Sequence, residues 1–159
     1  MVPTAPLRII LRTLRRRPIR VLHPDAVGDA PLNLPRRVDG PASAAQLAAD
    51  LLRHRREDIT LAVYLDGQHR LCGTAILAVG WVQAVRLSAR PILQGSQACR
   101  AEAAVLVRYG RSRPLRATDS EERSFGAMAV ECIRHGLPLV DHVVVTEGGF
   151  ASTALGPAG

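Results

Sequence analysis

Two apolar segments separated by Asp66-Gly67 restrict this chain to folds that contain a β-hairpin. Ile59, Leu61, Val63 and Leu65 recur with a period of two, which places them on one face of an extended strand. Asp-Gly favours a tight turn because both residues tolerate the positive φ that such turns need. Leu71 to Val79 reads as the returning strand, and Gly80-Trp81 marks a bend after it.

The helices are punctuated as clearly. Ser43-Ala44-Ala45-Gln46 has the form of a capping box, in which the Ser hydroxyl and the Gln side chain satisfy free amide donors at a helix start. Leu47, Leu51 and Leu52 supply its apolar stripe, and the helix is expected to run to about Arg56. A second helix is predicted from near Ser88 to near Arg100, with Pro91 in its first turn, where a missing amide donor does no harm. Thr118 with Glu121 opens a third, in which Phe125, Met128, Ala129, Cys132 and Ile133 fall at helical spacing and Gly136 is the expected C-cap. Ala103 to Val107 is wholly apolar and reads as a buried strand. Leu139 to Val145 reads as a last strand, with Gly148-Gly149 as a turn after it. The order is helix, strand, strand, helix, strand, helix, strand, which implies an α/β fold with a mixed sheet and helices packed on its faces.

Residues 1–41 are different in kind. Pro and Arg dominate them, Arg20-Val21-Leu22 is a candidate edge strand, and Asp25 to Gly40 reads as loop. The expected organisation is a basic arm over 1–41, one folded domain over 42–154 and a flexible tail over 155–159. Aromatic residues are only 3% of the chain, so the core must be built from Val, Leu, Ile and Ala.

The 21 basic residues are all arginine, a usage that suits a GC-rich, bacterial-like genome. They are unevenly placed. Residues 1–56 hold 11 Arg against 4 acids, whereas residues 57–159 balance at 10 and 10, so the net charge of +7 lies in the arm and the first helix. Arg12, Arg15, Arg16 and Arg17 are its densest part. A guanidinium fork grips phosphate or carboxylate at two points, so a basic arm on a neutral domain suggests an anionic partner, either nucleic acid or an acidic protein face. No apolar run approaches the roughly 20 residues that span a bilayer. Near the N-terminus the arginines follow the apolar patch rather than precede it, the reverse of a secretory signal, and a cytoplasmic protein with no membrane partner is expected. Cys72, Cys99 and Cys132 are far apart, with no Cys-x-x-Cys pair, and read as small buried hydrophobes.

Several segments together resemble a known family. Tyr64-Leu65-Asp66 followed by His69-Arg70-Leu71 resembles the hairpin with a terminal aspartate of RadC-like proteins, and Gly80 resembles the glycine of their bend. The stretch from Leu137 through Pro138, Leu139, Val140, Asp141, His142, Val143 and Val144 to Val145 is similar to their "IPLLDHIIV" strand. Gly149-Phe150-Ala151-Ser152 resembles the "GxYxS" segment that follows. The resemblance implies a JAB/MPN (JAMM) domain, a cytidine-deaminase-like mixed sheet flanked by helices. Active members are zinc hydrolases. Two histidines of a "HNHPSG" segment and the aspartate of an "SxxD" hold the metal, and a glutamate on an earlier strand acts as general base. Zinc lowers the pKa of its bound water, and the carboxylate takes that water's proton.

Laid on this chain, the pattern puts Arg108 at the first histidine, Gly110 at the second, Thr118 at the serine, Glu121 at the aspartate and Asp58, beside Glu57, at the general base. A guanidinium is always protonated and has no lone pair for zinc, and glycine offers no side chain. The resemblance therefore implies a degenerate site, with no catalytic residue, no bound metal and no cofactor expected. Thr118 and Glu121 serve equally well as a helix cap. Arg108, Arg111, Arg113 and Arg116 form a second basic cluster on a loop read over Arg108 to Ala117, which joins the arm as a candidate anion site or stands as a solvated loop. A scaffold role within a dimer or a larger complex is open as well. The alternative is a divergent zinc metallohydrolase of peptidase or isopeptidase type, drawing its ligands from Glu121, Asp58, Cys132, His135 and His142.

Overall fold

The computed structural model describes residues 37–80, 88–110 and 119–153. They form helix α1 (Pro41–Leu52), strands β1 (Ile59–Leu65) and β2 (Leu71–Val79), helix α2 (Ala89–Cys99), strand β3 (Ala103–Tyr109), helix α3 (Asp119–Arg134), and strands β4 (Leu139–Thr146) and β5 (Gly149–Ser152). The sheet order is β2-β1-β3-β4-β5. β1 is antiparallel to both β2 and β3, β3 is parallel to β4, and β4 is antiparallel to β5. The expected mixed sheet with helices on its faces is the fold that forms.

Residue alternation sorts the core into two layers. Ile59, Leu61, Val63, Leu65, Val105, Val107, Val143 and Val145 pack against α1, whose Leu47 and Leu52 are fully buried. Each such leucine contributes roughly 1.5–3 kcal/mol of transfer free energy. The opposite face presents Ala62, Tyr64, Ala104 and Leu106 to Ile92 of α2 and to Met128 and Cys132 of α3. Small residues meet the helices there, so backbones approach closely. The Tyr64 hydroxyl donates to the Ile92 carbonyl at 2.9 Å, and a Cβ on Gly95 would collide with the Tyr64 ring.

Several boundaries differ from the sequence reading. α1 begins at Pro41 with Gly40 as N-cap, not at Ser43, and ends at Leu52 rather than Arg56. Ser43 is the third helical residue, and its hydroxyl oxygen accepts from the amides of Asp39 and Gly40 at 3.1 and 3.2 Å. The hairpin loop is longer than a two-residue turn. Asp66 Oδ1 accepts from the Gln68 and Arg70 amides, and His69 takes the left-handed conformation at φ 61°. β3 continues to Tyr109, so Arg108 belongs to a strand and not to the loop assigned to it. Ile133 is 55% exposed and lies off the apolar stripe of α3. β5 begins at Gly149, read as the end of a turn, and continues through Phe150, Ala151 and Ser152, for which no strand was expected: Asp141 Oδ2 accepts from the Ser152 hydroxyl at 2.5 Å and Oδ1 from the His142 amide at 2.8 Å, which holds β5 to β4.

Gly136, the expected C-cap, has φ 80°, as a left-handed helix stop requires. Arg20-Val21-Leu22 and the tail over 155–159 lie outside the described residues. No helix among the described residues is long and apolar enough to cross a membrane.

Candidate functional site

The register of the sheet assembles a site where β1 begins and β3 ends. Thr60 pairs with Arg108, and Arg108 pairs in turn with Val144. Alternation puts Arg108 on the same face as Ala104 and Leu106, which is the face α3 covers. An arginine at this point cannot reach solvent from the middle of the sheet, and its side chain is only 1% exposed. Burial of a charge demands a counter-charge. α3 supplies it in its first turn: Glu121, 4% exposed at the side chain, places Oε1 at 3.0 Å from Arg108 Nε.

His142 enters from β4, opposite Leu106. Its ring stacks on Phe125 of α3 with centroids 5.4 Å apart and an interplanar angle of 17°. Burial lowers its pKa to about 4 and the Arg108 cation works in the same direction, against the Glu121 and Asp141 carboxylates, which raise it. The imidazole is therefore neutral at physiological pH. Thr60, Leu106, Arg108, Glu121, Ser124, Phe125, Met128 and His142 together line a cavity of about 20 Å³.

Asp58 and Gly110 meet beside this cavity, just before β1 and just after β3. A Cβ on Gly110 would overlap the Asp58 carboxylate, whose Cγ would lie 3.0 Å from it. The Gly110 amide donates to the Val145 carbonyl at 3.0 Å and the Gly80 amide to the Asp58 carbonyl at 2.7 Å, so both backbones are tied into the sheet. A larger residue at 110 has nowhere to go unless Asp58 moves.

These residues do not fit a zinc ion held in the way the resemblance implies. The guanidinium of Arg108 has no lone pair and adds positive charge beside any cation. Glu121 is already engaged with it, and the space for a side chain at 110 is filled by Asp58.

The alternative ligand set is dispersed. Glu121 and His142 share the cavity, but Asp58 faces Gly110. Cys132 is buried, its thiol pushed up to about 11 by that burial, while His135 is exposed and 3.3 Å from Glu131 on the outer side of α3. Among the described residues no three His, Cys, Asp or Glu side chains gather in a metal-binding group. Glu57 pairs with Arg55 at 3.9 Å in a half-exposed contact.

The structure thus brings Arg108, Glu121 and His142 together, sets Asp58 against Gly110, and buries Arg108, which the sequence reading grouped in a basic loop. Arg12, Arg15, Arg16, Arg17, Arg111, Arg113, Arg116 and Thr118 lie outside the described residues. The sequence reading missed Thr60 and the stacking role of Phe125. Thr60 carries a signal in retrospect, as a hydroxyl in a strand buried on both faces. The family model for the RadC-like JAB domain matches residues 38–156 of this chain.

Proposed function

Since the chain belongs to the RadC-like JAB domain family, we propose that it is a non-catalytic member of that family, acting as a binding or scaffold module for an anionic partner. One observation carries the reading. The guanidinium of Arg108 is buried at the position where the family pattern puts a metal ligand, and it is ion-paired with Glu121, the residue at another ligand position. A fixed cation and its counter-ion take up the centre that a hydrolase would keep for a Lewis acid and its water. Asp58 packed over Gly110 supports the same reading, because the general-base position and the second histidine position have closed on one another.

The binding half of the proposal rests on the charge distribution. The arm carries Arg12, Arg15, Arg16 and Arg17, and the segment between β3 and α3 carries Arg111, Arg113 and Arg116 with no acid from Arg111 to Thr118. Arg108 drops out of this contact set because its side chain is committed to Glu121. The chain has few aromatic residues, so contact with a nucleic acid would run along phosphates rather than through stacked bases.

Fluorescence anisotropy with single-stranded DNA, RNA and a poly-glutamate peptide tests this. Binding should weaken steeply with salt, by about 0.7–0.9 in log K per log unit of salt for each phosphate neutralised. Replacing Arg111, Arg113 and Arg116 together by Gln should reduce that slope. Absent or salt-insensitive binding to all three probes refutes the anionic partner.

A further inference from the structure

Two polar atoms beside the ion pair have no protein partner among the described residues. Thr60 is 2% exposed and His142 is 6% exposed, and neither Thr60 Oγ1 nor His142 Nδ1 has a hydrogen-bond partner there. Both residues line the same cavity between the sheet and α3, whose polar wall is completed by Arg108 and Glu121 and whose apolar wall includes Leu106 and Met128. Buried polar groups in native proteins are satisfied almost without exception, by protein or by ordered water. A volume of about 20 Å³ exceeds the roughly 10–15 Å³ that one water molecule requires and falls well short of what an organic ligand needs.

We propose that this cavity is a binding site for a single structural water molecule. Charge selects the ligand as firmly as size does. The Arg108 cation and the Glu121 anion cancel, and the neutral imidazole of His142 adds nothing, so the cavity offers a net charge of zero. A cation would meet the guanidinium and an anion would meet the carboxylate. Water both donates and accepts, so it serves the Thr60 hydroxyl and either tautomer of His142. A buried water takes about three partners, and Thr60 and His142 supply two of them. The water would then link Thr60 of β1 to His142 of β4 beneath α3.

A crystal structure of the full chain, with a second crystal soaked in sodium bromide, tests the site directly. The expected result is one density peak inside the cavity, within hydrogen-bond distance of Thr60 Oγ1 or His142 Nδ1, with no anomalous signal from bromide. A bromide peak at that place would overturn the assignment in favour of an anion site, and an empty cavity would overturn it altogether. Magnetic relaxation dispersion in solution gives an independent count of long-lived waters. Thr60→Ile fills the space and removes the hydroxyl, so this variant should hold one fewer such water than the parent chain. An unchanged count in a folded Thr60→Ile protein contradicts the proposal.

Discussion

Acidification should destabilise this domain through the buried imidazole of His142. In the folded protein, burial holds this imidazole at a pKa of about 4, against an ordinary value of 6.5. A histidine depressed in this way is neutral in the fold, while the unfolded chain takes up a proton as pH falls below 6.5. Stability is therefore complete above that pH and is lost between 6.5 and about 4, below which both states are protonated and the loss levels off. Linkage across the whole window amounts to about 3 kcal/mol, and to about 2 kcal/mol by pH 5. That is a large share of the roughly 5–15 kcal/mol by which domains are stable. Urea denaturation at about pH 7.5, 6.5, 5.5 and 5 measures it, compared with His142→Phe, which keeps a ring against Phe125 and has nothing to protonate. The difference in slope between the two proteins isolates this residue from every other titrating group. Parallel losses in the parent and in His142→Phe would refute the argument.

The ion pair and the Asp58–Gly110 contact make predictions of their own. Arg108→Met or Glu121→Leu alone leaves an uncompensated buried charge and should cost about 3–5 kcal/mol, whereas the double variant should fall within about 1–2 kcal/mol of the parent in urea denaturation. Additive losses would mean that the two side chains do not act as a pair. Gly110→Ala should cost about 1–3 kcal/mol by overpacking against Asp58, and Asp58→Ala in the same chain should recover part of that loss, which a double-mutant cycle reads as a coupling of about 1 kcal/mol.

The secondary structure was legible because its signals are local. The alternation from Ile59 to Leu65, the wholly apolar Ala103 to Val107 and the Gly136 stop each announce one element, and each forms. What escaped depends on contacts between elements. β5 is four residues long and exists because Asp141 captures Ser152 eleven residues on, a pairing that no periodicity encodes. α1 starts early because Gly40 caps it and Ser43 reaches back, and the usual preference for a hydroxyl at the cap itself pointed three residues too far along.

The site shows the same division. That Arg108 could not ligate a metal followed from its chemistry alone. That it would be buried and paired with Glu121 follows only from the sheet register, which turns residue 108 toward α3, and from the burial of the first turn of that helix. An arginine within Val105 to Tyr109 reads in sequence as the start of an exposed basic cluster. In the fold it is the largest fully buried side chain among the described residues.

The central claim, that a tethered guanidinium stands where a catalytic metal would, is tested most directly by the metal content of untagged protein purified without chelator, measured by plasma mass spectrometry. The account predicts only trace, substoichiometric transition metal, unchanged after incubation with zinc and dialysis. Retention of one equivalent of zinc would contradict it, since the Arg108–Glu121 pair would have to open for the ion to bind there.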